Sequence, residues 1–233
     1  MDLLAFGKTG WGDEMALATL ATLAVAVCAF ALALIIGTLG AAAKLSRLRF
    51  IRILLDCYTT IARGVPELLI IYLLFFGGSG ILMFVAGMFG YKGYIEVNAF
   101  TIGVVAIALI NGAYQTEVFR GAVLSVPPGQ IEAALAAGMS DRLLFFRILV
   151  PQVLRLALPG LGNCWLSALK ETALISVTGL VEIMRQSQVA AGSSQMPFLF
   201  YIVAACLFLF LTSFSGYGFR RAERWASRGT RSV

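Results

Sequence analysis

The sequence predicts an all-α integral membrane protein with five membrane-spanning helices. Of its 233 residues, 60% are hydrophobic and 13% are charged, and the mean hydropathy is +0.89. This composition leaves too little polar surface to cover a soluble globule. The charges also fall between long uncharged stretches, and about 20 apolar residues are enough for a helix to cross a bilayer. We therefore expect residues 1–233 to form a single transmembrane domain.

Composition also limits the chemistry that this chain can perform. Histidine, the most common metal ligand and a frequent acid–base catalyst, does not occur. The four cysteines are far apart in apolar surroundings, and we interpret them as small hydrophobic residues. The sequence has no G-x-x-x-x-G-K-[S/T] loop, and its basic residues do not gather on one soluble face. We expect no metal site, no nucleic-acid partner and no nucleotide bound by that loop.

The five predicted spans cover approximately residues 15–43, 65–90, 99–119, 156–183 and 197–219, with a long loop at 121–155. The first span has one alternative, a cleavable signal peptide, because Ala41–Ala43 resembles a cleavage site. Its apolar run is about twice the usual length for a signal peptide and lacks a basic segment directly before it. We therefore expect this helix to be retained.

The second span follows a break in the chain. Residues 50–62 predict a helix that either lies near the membrane interface or begins this span. Gly64 and Pro66 then punctuate the chain, and Pro66 disfavours a helical conformation at Val65. Residues 77–80 are Gly-Gly-Ser-Gly, which predicts that the regular helix ends early there.

The third and fourth spans carry charges. Glu117 and Arg120 close the third span at a spacing of i,i+3. Pro159 weakens the start of the fourth span, and Lys170 and Glu171 place two charges in its middle. The residues from 185 to 195 are polar and predict a loop before the fifth span.

The distribution of Lys and Arg predicts the orientation. Fourteen basic residues follow the first, third and fifth spans: Lys44, Arg47, Arg49, Arg52, Arg63, Arg120, Arg142, Arg147, Arg155, Arg220, Arg221, Arg224, Arg228 and Arg231. The other side holds three, Lys8, Lys92 and Arg185. Basic residues favour the cytoplasmic side. We therefore expect a periplasmic N-terminus, and a C-terminus and 121–155 loop in the cytoplasm.

The 121–155 loop contains a short predicted helix. Pro128 suits its first turn, Glu132 suits its positive N-terminal end, and Gly138 suits its end. A helix that contacts only lipid headgroups would carry Lys or Arg on its polar face, and residues 128–141 contain neither. This pattern favours a protein partner for the helix.

The same loop carries a family resemblance. Glu132-Ala133-Ala134 followed by Gly138, and then by Ile148-x-Val150-Pro151, resembles the cytoplasmic loop of inner-membrane permease subunits of ABC importers. Val150 stands where that pattern usually has Leu. The segments at 63–68, 112–121, 126–134 and 169–174 resemble the polar amino acid branch, above all the "Q" permeases of histidine/lysine/arginine and octopine/nopaline systems. This resemblance covers nearly the whole chain.

The resemblance implies the type I ABC importer permease fold with a cytoplasmic coupling helix. It implies a transport subunit of the bacterial inner membrane rather than an enzyme, carrying a polar or basic amino acid or an opine. The implied partners are a homologous but different permease chain, two ATP-binding subunits and a periplasmic solute-binding protein. ATP and Mg²⁺ belong to the ATP-binding subunits, so this chain itself holds no cofactor.

The resemblance assigns coupling to the ATP-binding subunit to one set of residues: Gly129, Gln130, Glu132, Ala133, Ala134, Gly138 and Met139. Small residues allow a helix to sit deep in a groove of a partner, and Gly138 allows a sharp exit from the helix. We expect force from ATP binding and hydrolysis to enter this chain here.

Four residues of the fourth span are candidates for the substrate pathway: Lys170, Glu171, Thr172 and Trp165. Glu171 lies ~22 Å along a helix from Leu156, well inside the bilayer. Charges at that depth usually face a cavity or a partner. Two interpretations stay open for Glu171: it binds the cationic end of a substrate, or it is a structural charge paired across a subunit interface. Trp165 either lines the pathway or packs against other residues inside the protein.

Five residues near span ends are candidates for gating or for structural roles: Arg63, Pro66, Glu67, Glu117 and Arg120. Simple ion pairing or snorkelling is the alternative for the charged ones. Two rival functions also remain. One is an intramembrane enzyme that uses Glu171, Lys170 or Glu117, although no second acid or nucleophile stands in a recognisable arrangement. The other is a permease for an unrelated small solute.

Overall fold

The computed structural model describes residues 2–7, 10–91, 93 and 98–227, in which all regular secondary structure is helical. Four basic residues used to predict the orientation, Lys8, Lys92, Arg228 and Arg231, lie outside the described residues. The main helices are α1 (Gly12–Lys44), α2 (Arg49–Gly64), α3 (Glu67–Met88), α4 (Ala99–Leu124), α5 (Pro128–Ala136), α6 (Asp141–Leu144), α7 (Val150–Glu171), α8 (Ile183–Ser194) and α9 (Pro197–Ala226).

Within the described residues, five helical segments are long and apolar enough to cross a membrane. They are Gly12–Lys44, Glu67–Met88, Ala99–Leu124, Asp141–Thr178 and Pro197–Ala226. Three of them, the third, fourth and fifth, begin or end at least five residues away from the predicted bounds. The fourth span differs most, because α6, a π-helical turn at Phe145–Leu149 and α7 form one continuous helix. This helix continues without interruption past Pro159 and then becomes a 3-10 helix at Thr172–Thr178.

Helices α1 and α4 form the centre of the bundle and lie side by side in parallel. Gly37 of α1 packs against Gln115, so closely that a Cβ atom at Gly37 would lie 2.6 Å from the Gln115 Cβ. Small residues let helix backbones approach in this way where lipid provides no hydrophobic drive between helices. Further along the pair, Val25 and Ala29 of α1 pack with Ile107 of α4. Helix α3 packs on α4, and α7 packs on both α1 and α4.

Helix α7 runs antiparallel to α4. Gly160 packs against Val118, and the Asn111 side chain reaches the backbone of Cys164. On its other side α7 packs against α9, where Trp165 and Leu211 share a core. Helices α1, α4 and α9 all end at one end of the bundle, which we call the basic end because Lys44, Arg120 and Arg220–Arg224 lie there.

Two sequence expectations are wrong. Helix α3 does not end at residues 77–80 but continues to Met88. In a bilayer the backbone has no other hydrogen-bond partners, so an apolar helix tolerates glycines there. The 185–195 stretch is not a loop but helix α8, whose N-terminus is capped by Glu182 through the N–H groups of Met184 and Arg185, at 2.9 and 2.7 Å.

Residues 50–62 do not begin the second span. They belong to a separate helix, α2, which ends at Gly64, and α3 begins after Pro66. Val65 between them is extended, as expected for a residue before proline. The two helices therefore meet at a sharp turn rather than forming one span.

Candidate functional site

A polar cleft of about 490 Å³ opens between α4, α7 and the turn from α2 to α3. We call it the central cleft. It is lined by Arg63, Glu67, Asn111, Tyr114, Glu117, Val118, Gly160, Asn163, Cys164, Ser167 and Glu171. Four of the residues singled out in the sequence, Arg63, Glu67, Glu117 and Glu171, therefore share one site.

One face of α7 forms a wall of the central cleft. Gly160, Cys164, Ser167 and Glu171 are spaced at i, i+4, i+7 and i+11, which places them on one side of a helix. Glu171 ends this row and is only 4% exposed. Its Oε2 atom has no hydrogen-bond partner among the described residues. An unpaired carboxylate oxygen in a buried position is costly, and it marks a place where a cationic partner would be stabilised.

The other three pathway candidates lie elsewhere. Trp165 lies on a different face of α7, packed against Phe30 and Phe219 with ring centroids 5.4 and 6.4 Å away. Lys170 is exposed and does not line the central cleft. Thr172 is fully buried, and its hydroxyl donates to the carbonyl oxygen of Leu169 at 2.7 Å.

A hydrogen-bond chain inside the bundle was missed by sequence reasoning. The Gln115 amide donates to Asn111 Oδ1 at 2.8 Å, and the Asn111 amide donates to the Cys164 carbonyl oxygen at 2.9 Å. Both side chains are fully buried, and the chain ties α4 to α7 beside Glu171. A signal was present: two amides at i,i+4 within a span must face protein rather than lipid.

The turn between α2 and α3 brings Arg63 and Glu67 to the central cleft. Pro66 sits at this turn with φ −54°. The Arg63 guanidinium carbon lies 5.4 Å from the centre of the Tyr114 ring, a cation–π distance. The ion pairs among the described residues include neither Arg63 nor Glu67.

Glu117 belongs to an ion cluster at the basic end. Lys44 Nζ lies 2.6 Å from Glu117 Oε1, 2.8 Å from Asp56 Oδ1 and 2.6 Å from Thr59 Oγ1. Arg120 pairs with the other Glu117 oxygen at 2.8 Å. Hydrogen bonding to Lys44 holds the pKa of the Asp56 carboxyl below its ordinary value. The cluster fixes α2 against α1 and α4.

The residues assigned to coupling form a separate surface at the basic end. Gly129, Gln130, Glu132 and Ala133 are exposed on α5, and Ala134 is buried beneath them. Helix α5 ends before Gly138, which has φ +77°. The N–H groups of Gly138 and Met139 donate to the carbonyls of Leu135 and Ala134 at 2.9 and 3.1 Å, a Schellman-type end. None of these residues lines the central cleft.

No group of three or more His, Cys, Asp or Glu side chains in the described part of the chain could hold a metal ion. The candidate site therefore consists of the central cleft and the α5 surface. The first can bind a small polar solute, and the second can bind a protein.

Comparisons with known proteins agree on one family. Residues 33–222 match the family model described as binding-protein-dependent transport system inner membrane component. The chain is 56% identical to the nopaline transport system permease protein NocQ of Agrobacterium fabrum, over 100% of this chain and 99% of that protein. It is 51% identical to the octopine transport system permease protein OccQ of Rhizobium radiobacter, over 97% and 96% of the two chains.

More distant relatives and solved structures extend the comparison. The histidine/lysine/arginine/ornithine transport system permease protein HisQ of Escherichia coli is 39% identical, over 95% of this chain and 97% of its own. An amino acid ABC transporter crystallised with histidines has a TM-score of 0.79 and 28% identity, covering 92% of this chain and 94% of its own. The MetNI methionine ABC transporter, at 16% identity and a TM-score of 0.65 over 91% and 94%, shares the fold.

Proposed function

The chain belongs to the family of binding-protein-dependent transport system inner membrane components, and from this premise we propose that it forms half of an import pathway for an opine or a basic or polar amino acid. It is a membrane-spanning transport subunit of an ABC importer and not an enzyme. ATP-binding subunits and a solute-binding protein are the partners that such a system requires.

The observation that carries the proposed substrate class is the position of Glu171. It is nearly buried, it lines the central cleft, and one of its oxygens is unpaired among the described residues. Glu67 lies in the same cleft, whereas Glu117 is occupied by Lys44 and Arg120. The available charge of the cleft is therefore acidic on balance, which suits an ammonium or guanidinium group. The names of the relatives point to the same solutes, since arginine-derived opines and basic amino acids all carry such a group.

The α5 surface is the proposed contact with an ATP-binding subunit. Its residues are small or uncharged except Glu132, and the surface carries no Lys or Arg that would favour lipid headgroups. The chain continues from Gly138 directly into the long helix that ends at Glu171. A displacement of α5 would therefore be transmitted along this continuous helix to the central cleft, as alternating access requires.

The orientation follows the same proposal. The basic end faces the cytoplasm, where the ATP-binding subunits dock on α5, and the N-terminus is periplasmic. The second permease chain is a different but homologous protein, as in systems with Q-type subunits. ATP and Mg²⁺ are bound by the ATP-binding subunits, and this chain holds no cofactor.

The test is transport by the reconstituted system. The chain is co-expressed with a second permease, an ATP-binding subunit and a binding protein from the same organism, and the complex is placed in liposomes. We expect ATP-dependent uptake of nopaline, octopine, arginine or histidine and little uptake of glutamate. Uptake of anionic or uncharged solutes only would contradict the proposal. The chain purified alone is expected to hydrolyse no ATP, and appreciable turnover would favour an enzyme.

A further inference from the structure

We infer that Arg63 binds the carboxylate of the substrate, at a different depth of the central cleft from Glu171. Recognition would then depend on a carboxylate and a cationic group held at a set separation. This inference rests on the proposed function and goes beyond it, because it adds a second charge requirement and assigns that requirement to one residue of this chain.

Arg63 and Glu171 lie at different depths of the central cleft. Asn111 and Cys164 lie at the same depth, because the Asn111 side-chain amide donates a hydrogen bond to the Cys164 carbonyl oxygen at 2.9 Å. Tyr114, whose ring contacts the Arg63 guanidinium, is three residues from Asn111 toward the basic end. Glu171 is seven residues from Cys164 in the other direction. At 1.5 Å per residue, the backbones of Tyr114 and Glu171 are roughly 15 Å apart along the helix axis. The long side chains of Arg63 and Glu171 shorten the distance between their charged groups.

The side-chain N–H donors of Arg63 have no hydrogen-bond partner among the described residues. The guanidinium carbon lies 5.4 Å from the centre of the Tyr114 ring, a cation–π distance. The five N–H donors lie in the plane of the group and suit the two oxygens of a carboxylate. Within the described ranges Arg63 takes part in no ion pair, and nearby Glu117 is already held by Lys44 and Arg120.

The unpaired charges of the cleft match one kind of solute. Arg63 supplies a guanidinium group, and Glu67 and Glu171 supply two acidic groups that form no ion pair with any described residue. An arginine-like molecule carries the complementary set, one carboxylate, one ammonium and one guanidinium. A decarboxylated analogue would satisfy the two acids and leave Arg63 without a partner.

The test compares arginine with agmatine, which is arginine without its carboxylate. Binding is measured by calorimetry on the complex of both permease chains and the ATP-binding subunits, without the binding protein, so that only the membrane site selects. We expect the unaltered complex to bind arginine at least tenfold more tightly than agmatine. Arg63→Gln should abolish this difference by weakening arginine binding and leaving agmatine binding within twofold. Arg52→Gln, on the same helix but outside the cleft, is the control and should retain the difference.

Two results would overturn the inference alone. One is an Arg63→Gln complex that binds both ligands as the unaltered complex does, and the other is equal weakening of both ligands. If Arg63→Gln does not assemble, Arg63→Lys replaces it, because it keeps the charge but not the planar fork, and it should reduce the preference for arginine several-fold. Failure of the unaltered complex to bind either ligand would overturn the proposed function as well.

Discussion

The ammonium nitrogen of Lys44, the last residue of α1, lies 2.6 Å from a carboxylate oxygen of Glu117, 73 positions later in α4. The Lys44 side chain is only 5% exposed, and the same nitrogen contacts Asp56 and Thr59 of α2. A buried ammonium group needs such partners, because few water molecules reach it. One lysine therefore joins three helices, and Arg63 lies one turn beyond Thr59 on α2.

Replacing this lysine is expected to destabilise the protein. Lys44→Met keeps the length of the side chain but leaves the partly buried Glu117 carboxylate with Arg120 as its remaining ion-pair partner. Breaking a buried ion pair from one side costs about 3 kcal/mol of unfolding free energy. Thermal unfolding of the detergent-purified complex measures the loss. Arg49→Gln, an exposed residue in none of the described ion pairs, should change little, and equal melting of both variants would contradict the expectation.

The Lys44–Asp56 pair should also make stability depend on pH. Lys44 lowers the pKa of the Asp56 carboxyl from 3.8 in the folded protein, so the pair stabilises the fold above the ordinary pKa. The contribution is lost as the pH falls through the lowered value. We expect the melting difference between the unaltered protein and Asp56→Asn to be constant near pH 7 and to shrink below about pH 4. In a Lys44→Met background the difference should be smaller, because only the weaker effects of Arg120 and Arg52 remain; a difference that grows in acid would refute the pairing.

The close approach of α1 and α4 predicts sensitivity at Gly37. A methyl group there would lie 2.6 Å from the Gln115 Cβ and 3.1 Å from its carbonyl carbon, so the helices must separate. Overpacking of this kind costs about 1–3 kcal/mol. Because Gln115 orients Asn111 through a 2.8 Å hydrogen bond, the strain should also reach the central cleft. Gly37→Ala should lower both the melting temperature and substrate affinity, and Gly121→Ala, where nothing lies within 4 Å, should lower neither.

Hydropathy alone could predict the number of spans. Their ends could not be predicted as well, because Pro159 and the glycines at 77–80 break helices in water but not where lipid leaves the backbone no alternative. Polar composition likewise suggested a loop at 185–195, where a polar helix packs one face on its neighbours.

The site was partly predictable for a different reason. The sequence identifies Glu171 because a charge in a span is unusual, but it does not show which helix face meets which neighbour. Trp165 and Glu171 are six residues apart and lie on different sides of α7. The contact between Arg63 and Tyr114 joins two helices far apart in sequence, so only the fold reveals it.

The end of α5 predicts an effect on coupling. Gly138 has φ +77°, a conformation that costs a residue with a Cβ about 1–2 kcal/mol. Gly138→Ala should therefore disturb the helix end and reduce ATP-driven uptake several-fold, while the amount of protein in the membrane is unchanged. Gly138→Asn should retain more activity than Gly138→Ala, because asparagine tolerates this conformation. Equal uptake by the unaltered and Gly138→Ala complexes would argue against a coupling role.

The most direct test of the central cleft is Glu171→Gln. The substitution keeps the shape of the side chain and removes its charge, so a cationic solute loses its electrostatic partner and an uncharged solute does not. Charge-assisted hydrogen bonds contribute about 1.5–3 kcal/mol, which corresponds to a roughly 10- to 100-fold loss in affinity. We expect arginine binding to the assembled complex to fall within this range, and binding of a neutral analogue such as citrulline to change less than twofold.

A structural role for Glu171 leads to a different result. If its carboxylate pairs with a cation of the second permease chain, Glu171→Gln should weaken the contact between the chains and reduce the affinity for arginine and citrulline equally. The melting temperature of the complex would then fall together with binding. Glu223→Gln, a half-buried acid at the basic end of α9 and outside the cleft, controls for the loss of one negative charge. A selective loss of arginine binding at an unchanged melting temperature would therefore assign Glu171 to the substrate.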